Sequence, residues 1–198
     1  MKRSILAAAA GTAGLGVAAL LVVGTPAGAA DRTVTVADFS FTPGTVTVVP
    51  GDTVTWQFQD SNHTTTSSQG FWNSGTRSAG TTFAHRFGSS GSYAYFCIQH
   101  RAMGMVGSVR VIVRAAGSSG KGWTLRWSTG TAPAGRNFDV QYRRQGVTAW
   151  SAFRTSTTQA TGFFNPSRSA TYQVRARTSN TNAGTDTGWS PVRSVTIT

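Results

Sequence analysis

The sequence predicts an all-β protein built from two β-sandwich domains. Apolar residues recur with period two along most of the chain, and a segment of small residues interrupts this pattern near the middle. Alternation of this kind places every second side chain on one face of a strand, whereas a helix needs a period of 3.6. A length of 198 residues also favours two small domains over three.

Residues 1–30 are predicted to be a secretion signal. A basic start at residues 1–3 is followed by an apolar run from Ile5 to Val23 and by small residues at 27–30. This order is typical of a signal peptide that is cleaved on export. An uncleaved membrane anchor is the alternative, but three glycines and Pro26 interrupt the run and favour cleavage. We expect a secreted or extracytoplasmic bacterial protein with no membrane span in its mature form.

Residues 31–115 are predicted to form the first sandwich. Its strands are indicated by alternating apolar residues: Val46 and Val48; Val54, Trp56 and Phe58; Tyr93, Tyr95 and Cys97; Val109, Val111 and Val113. Turn-forming residues separate these runs, notably at 50–52, at 88–91 and at Gly104. We expect the alternating side chains to share one core.

Residues 116–121 are predicted to be a linker, and residues 122–198 a second sandwich. Glycine and serine dominate the linker, as in flexible connections. The linker does not fit a phosphate-binding loop, because Gly122 stands where a hydroxyl would coordinate magnesium. Apolar alternation then resumes at Leu125 and Trp127, at Phe138, Val140 and Tyr142, at Tyr172, Val174 and Ala176, and at Val195 and Ile197.

Positive charge is concentrated in the second unit. Of the formal net charge of +12, residues 31–114 contribute six Arg against four Asp, whereas residues 115–198 contribute one Lys and nine Arg against two Asp. A basic surface of this kind favours anionic cell-envelope polymers or acidic partner proteins. For an exported chain we expect no nucleic acid partner.

One short loop contains three metal-ligating residue types. Cys97, His100 and Met105 form a Cys-x-x-His-x-x-x-x-Met pattern at the end of a predicted strand. Two imidazoles, one thiolate and a weak axial thioether define a blue-copper site. His63, in a polar loop after another strand, is predicted to supply the second imidazole. Structural zinc sites usually contain more Cys or His, so copper is the predicted metal.

Residues 33–113 resemble the cupredoxin family, especially its plastocyanin and pseudoazurin-like members. The resemblance depends on Phe41-x-Pro43, Val48-x-Pro50-Gly51-Asp52-Thr53-Val54-x-Trp56, His63, Phe87, Gly91-x-Tyr93-x-Tyr95-x-Cys97, His100 and Met103-Gly104-Met105-x-Gly107. It implies a Greek-key sandwich or barrel with one type 1 copper ion that transfers single electrons. It further implies that His63, Cys97 and His100 are equatorial ligands, that Met105 is the axial ligand, and that Met103 lies at the rim.

Two positions depart from the usual family pattern. Gln99 stands where related loops often have proline, and Thr64 follows His63 where asparagine or serine is common. Neither departure removes a ligand, but both are expected to affect hydrogen bonding around the cysteine sulfur. In this family the histidine that matches His100 is exposed within an apolar patch, so we expect a redox partner protein to dock near His100.

Residues 122–198 resemble a fibronectin type III domain, which is an immunoglobulin-like sandwich. Trp127 matches the early core tryptophan, residues 138–142 the central strand, residues 172–176 the late tyrosine strand, and Trp189-Ser190 the approach to the last strand. The resemblance implies an adhesive or spacing module, although such a fold does not identify a ligand.

The sequence predicts no enzyme. A multicopper oxidase or copper nitrite reductase would need further histidine ligands, and this chain has three histidines in total. Two alternatives to electron transfer stay open: an extracytoplasmic copper carrier or buffer, and a cell-surface adhesion protein with an accessory copper site.

Overall fold

The computed structural model describes residues 31–198, which confirm the predicted all-β fold class. The predicted signal at residues 1–30 lies outside the described residues. No helix within 31–198 is long and apolar enough to cross a membrane. The first strands are β1 (Arg32–Ala37), β2 (Ser40–Thr42), β3 (Thr45–Val48), β4 (Thr53–Phe58), β5 (Thr66–Ser67), β6 (Thr82–Arg86), β7 (Gly91–Phe96) and β8 (Val106–Val111), with a 3₁₀ helix at Arg101–Met103. The later strands are β9 (Arg114–Ser118), β10 (Gly122–Arg126), β11 (Arg136–Arg144), β12 (Ser151–Thr157), β13 (Thr161–Phe164), β14 (Ala170–Asn180), β15 (Thr185–Asp186) and β16 (Arg193–Ile197).

The first eight strands form two four-stranded sheets around one core. The strand orders are β2-β1-β4-β6 and β3-β8-β7-β5. β1 pairs with β4, and β3 with β8, in parallel, while the other neighbours are antiparallel. The buried cluster takes side chains from both sheets, among them Val34, Val54, Trp56, Tyr95 and Val109. Every second residue of β4 and β7 is buried, as the alternation in the sequence predicts.

A second pair of sheets encloses a separate core. A three-stranded sheet has the order β13-β10-β9, and the facing sheet has the order β12-β11-β14-β15, with β16 also paired to β14. The core between them contains Leu125, Trp127, Val140, Val174 and Val195. The residues that alternate in the second half of the sequence therefore pack together as well. The expectation that Val113 shares the core of the first sandwich is wrong, because Val113 is buried in this second core, immediately before β9.

The segment predicted as a linker is largely hydrogen-bonded structure. β9 continues to Ser118 and pairs antiparallel with β10, so residues 116–118 belong to a strand and 119–121 to the turn that follows it. The glycine at 117 is required by close approach, because a Cβ there would lie 2.2 Å from the carbonyl oxygen of Gly122. The domain limits 31–115 and 122–198 stay predictions.

The two sandwiches are joined by backbone hydrogen bonds at the start of β7. Ser92 and Gly188 exchange N–H···O bonds of 2.7 and 2.9 Å. Two neighbouring bonds run from Ser90 N–H to the Trp127 carbonyl and from Thr129 N–H to the Gly88 carbonyl. Hydroxyl and amide side chains add to them, with Thr178 donating to the Ser90 carbonyl and Asn180 to the Gln69 carbonyl. Paired backbone groups of this kind hold the two sandwiches in one orientation.

His85 provides a pH-dependent contribution to stability. Its ring is stacked on Trp72 with centroids 5.0 Å apart and meets the edge of Phe87 at 4.9 Å. Burial lowers the pKa of His85 below 6.5. Below about pH 6.5 the unfolded chain therefore binds more protons at His85 than the folded chain does. The contribution of His85 to the free energy of unfolding is present above that pH and is lost as the pH falls through the pKa of His85 in the folded state.

We expect the free energy of unfolding of the wild type to fall more between about pH 8 and about pH 5 than that of His85→Gln. Urea unfolding of both proteins at the two pH values measures this difference. Equal losses in the two proteins would contradict the assignment to His85.

Candidate metal centre

The predicted ligand residues meet at the end of β7 and the start of β8. Cys97 directly follows β7, and Met105 directly precedes β8. His100 stands immediately before the 3₁₀ helix that connects them. His63 lies in the loop after β4, where its carbonyl accepts a 2.8 Å hydrogen bond from Arg77 N–H. Two segments that are distant in sequence are thus fixed beside one another.

Three ligand atoms form a compact triangle. The Nδ1 atoms of His63 and His100 are 3.1 Å apart, and the Cys97 Sγ lies 3.4 Å from His100 Nδ1 and 3.7 Å from His63 Nδ1. A trigonal centre with metal–nitrogen bonds of about 2.0 Å and metal–sulfur bonds of about 2.3 Å has edges of about 3.5–3.8 Å. The observed triangle has nearly this size, so the donor set fits a single metal ion.

The site is largely closed to solvent. Cys97 is fully buried and His63 is 2% exposed, whereas His100 is half-buried. Exclusion of water protects the thiol from oxidation, which an exported free cysteine would otherwise face.

Met105 is buried at the end of the ligand loop, whereas Met103 is exposed. The Met105 N–H donates to the His100 carbonyl (3.2 Å), and its carbonyl accepts from the Cys97 N–H (3.1 Å). Met105 is 1% exposed and Met103 is 64% exposed. The hydrogen bonds close the loop into a rigid ring, which leaves Met105 as the methionine available to the interior.

Gly107 allows the site to pack closely on the core. A Cβ at this position would lie 2.3 Å from Cζ of Tyr95. Tyr95 is 1% exposed, and burial raises its pKa to about 12. The phenol therefore stays protonated at physiological pH, and its ring packs directly against the backbone of Gly107.

Both positions that depart from the family pattern touch the cysteine sulfur. The Thr64 N–H donates to Cys97 Sγ at 3.3 Å, and the Cys97 thiol donates to Gln99 Oε1 at 3.4 Å. The Thr64 hydroxyl also accepts from the Ile98 N–H, which ties the two ligand segments together. Gln99 is anchored by its own donation to Thr76 Oγ1 at 3.0 Å. These contacts fix the electrostatic surroundings of the sulfur.

Asp60 lies against a predicted ligand, and the sequence analysis missed this contact. Its Oδ1 lies 2.9 Å from Nε2 of His63, on the far side of the ring from the triangle. A carboxylate there favours the tautomer with the proton on Nε2, which leaves the Nδ1 lone pair for a metal. The sequence did offer a signal for this contact, because Asp60 stands three residues before His63 in the same loop.

Phe39 was also missed, and it covers His100. The rings of these two residues meet edge to face with centroids 4.6 Å apart. Phe39 comes from the tight turn between β1 and β2, where Asp38 and Phe39 both adopt positive φ. Together with Ile98, Met103 and Val106, it forms a set of exposed apolar side chains that we call the apolar face; each is 49–64% exposed.

Comparisons with known proteins find similarity over part of the chain. Residues 29–112 match the family of copper binding proteins described as plastocyanin/azurin. A purple cupredoxin from Nitrosopumilus maritimus is similar at 27% identity, with 41% of this chain and 99% of that chain covered and a TM-score of 0.37. Amicyanin from Paracoccus versutus is similar at 26% identity, with 44% and 85% covered and a TM-score of 0.35. No curated protein matches the chain.

The family match supports a cupredoxin domain in the N-terminal half of the described chain. Copper is the cofactor that this family binds, and His63, Cys97 and His100 are grouped as a candidate site for it. The prediction of copper is thereby confirmed.

Proposed function

We propose that the protein is an extracytoplasmic one-electron carrier that holds a single type 1 copper ion through His63, Cys97, His100 and Met105. The observation that carries this proposal is the buried triangle of two imidazole nitrogens and one thiol sulfur, with edges of 3.1–3.7 Å. Two histidines and a cysteine with a weak axial methionine are the ligand set of blue-copper electron-transfer sites.

The chain's own contacts hold the ligands in place. Asp60 orients the His63 ring, Thr64 N–H orients the Cys97 sulfur, and backbone bonds close the loop from Cys97 to Met105. Copper, when bound, supplies the one-electron change between Cu(I) and Cu(II). Because the side chains are already fixed, a change of charge at the site requires little rearrangement, and electron transfer is fast.

Electrons enter or leave through His100 in this proposal. His63 is buried, whereas His100 is half-buried and lies against the apolar face at Phe39. The partner is a redox protein with an apolar docking patch. Residues 31–198 carry sixteen Lys and Arg against six Asp, and this excess of positive charge favours an acidic partner, because opposite charges speed encounter.

We also propose the domain order of a signal at 1–30, a cupredoxin domain at 31–115 and a fibronectin type III-like domain at 122–198, with residues 116–121 connecting them as the end of strand β9 and the turn that follows it. A three-stranded sheet facing a sheet centred on β11 and β14 supports the last assignment. So does the hydroxyl of Tyr172, which donates to the Arg168 carbonyl at 2.9 Å in the manner of a tyrosine corner. We propose that the basic surface of this domain, residues 122–198, contacts anionic cell-envelope polymers.

Absorption spectroscopy tests the function. Purified protein is titrated with Cu(II), reduced with ascorbate and reoxidised. An intense visible band that saturates at one copper per chain and bleaches reversibly supports a copper–thiolate electron carrier. Stoichiometric copper without this band, or a band that does not return, would favour copper carriage instead.

Replacing Met105 distinguishes the proposed axial ligand from its neighbour. We expect Met105→Leu to keep the copper colour but to raise the reduction potential, because loss of the thioether removes a donor that stabilises Cu(II). Met103→Leu is the matched control, and its potential should stay at the wild-type value. Redox titration of the visible band measures both. Equal shifts in the two variants, or a shift in Met103→Leu alone, would reject Met105 as the ligand.

A further inference from the structure

A second candidate binding site lies between the two domains, at the end of β8 away from Met105. A groove of about 660 Å³ is lined there by residues of both domains. Val48 and Val113 are buried beneath it, and Ala116 and Thr124 are exposed within it. Four arginines also line it, Arg32, Arg114, Arg126 and Arg193, so we call it the arginine groove. Its volume is within the range of about 300–1,000 Å³ that is usual for small-molecule sites.

Positive charge in the arginine groove exceeds the negative charge supplied by the chain. Asp52 is the acidic residue among its lining residues, and its Oδ1 lies 3.7 Å from Nη2 of Arg114. The other carboxylate oxygen of Asp52 already accepts from the Val49 N–H. Arg126 and Arg193 are exposed and form no ion pair within residues 31–198. The lining thus contains four arginines and one aspartate.

Two of these arginines repel each other, and Asp52 lies near one of them. Arg114 and Arg126 are directly opposite each other in the β9–β10 pair, so their side chains emerge on the same face of the sheet. Like charges in opposed positions destabilise a sheet. In addition, Nε of Arg114 is buried and has no hydrogen-bond partner among the described residues. An unsatisfied buried donor next to repelling charges indicates a place for an acceptor anion.

We propose that the arginine groove binds a small amphiphilic anion, namely a carboxylate, sulfonate or phosphate group attached to an apolar chain or ring. The guanidinium groups bind the anionic end, since their planar donors match carboxylate and phosphate oxygens. The apolar part lies over Val48 and Val113, which removes its surface from water. This proposal is independent of the copper site.

The test uses three soluble probes with the copper-loaded full chain. Anilinonaphthalene sulfonate is titrated by fluorescence and then displaced with decanoate, while inorganic phosphate serves as an anion without an apolar part. We expect saturable binding at one site, displacement by decanoate and no displacement by phosphate at the same concentration.

Two charge-matched double variants locate the site. Arg126→Gln with Arg193→Gln removes two charges from the groove and should weaken binding by at least about tenfold, because each guanidinium lost removes charge-assisted hydrogen bonds to the anion. Lys121→Gln with Arg168→Gln removes two exposed charges that lie outside it and should bind as the wild type does. Unchanged far-ultraviolet circular dichroism and unchanged urea unfolding midpoints confirm that both variants are folded.

Three results would overturn the proposal. Equal weakening in both double variants would mean that net charge alone attracts the probes. Competition by phosphate as strong as that by decanoate would mean that the apolar floor plays no part. Binding to vesicles of anionic phospholipid without any binding of free decanoate would assign the arginines to a membrane surface rather than to a ligand groove.

Discussion

Copper-loaded Cys97→Ser protein is expected to lack the intense visible absorption of the wild type and to bind copper more than about 100-fold more weakly. Even residues that only orient metal ligands contribute about 10–100-fold to affinity, so loss of the thiolate must cost more. Cys97 Sγ is also the one soft donor in the triangle, lying within 3.7 Å of both imidazole nitrogens. Spectroscopic titration with Cu(II) and competition with a chelator measure the two effects.

The copper-free proteins supply the control for this experiment. Serine is close to cysteine in size, and Cys97 is fully buried, so the thermal unfolding midpoint of the copper-free variant should stay close to that of the copper-free wild type. A variant that folds and still develops the wild-type band would exclude Cys97 from the site.

Trp127→Ala is expected to lower the free energy of unfolding by about 3–5 kcal/mol. Trp127 is fully buried in the second core and meets Phe153 edge to face. Its indole N–H donates to the Gln159 carbonyl at 2.6 Å, so truncation leaves both a cavity and an unpaired acceptor. Urea unfolding followed by far-ultraviolet circular dichroism measures the loss.

Trp150→Ala is the matched control for that substitution. Trp150 is half-buried and is covered by the guanidinium groups of Arg143 and Arg175, at 4.5 and 3.9 Å from its ring. Cation–π contacts at exposed sites contribute about 0.5–1 kcal/mol. The free energy of unfolding should therefore fall much less in Trp150→Ala than in Trp127→Ala. Similar losses in the two variants would contradict the assignment of Trp127 to the centre of the core.

The strands and the ligand loop could be predicted from the sequence because each depends on a pattern within a short segment of the chain. Alternation at Val54, Trp56 and Phe58 identifies a half-buried strand without knowledge of its neighbours. Cys97, His100 and Met105 fall within nine residues, and the structure indeed places His63 against this loop. The pairing of β1 with β4 and of β3 with β8 in parallel was not accessible, because periodicity determines the face of a strand and not its partner.

Contacts between residues that are distant in sequence could not be predicted from short sequence patterns either. Phe39 reaches His100 only because the β1–β2 turn adopts positive φ and β1 lies beside β4. The hydrogen bonds between Ser92 and Gly188 join residues almost a hundred positions apart, and neither residue type signals an interface. Small residues at 116–118 suggested flexibility, yet in the structure they permit close strand pairing.

The second domain and the metal centre lie at opposite ends of strand β7. The second domain is attached at Ser92, and Cys97 lies five residues further along, which corresponds to about 17 Å of extended strand. The apolar face at Phe39, Ile98, Met103 and Val106 belongs to the Cys97 end. If the second domain bound to a surface, the copper end would therefore point away from that surface. A redox protein could then bind at the copper end without any reorientation of the molecule.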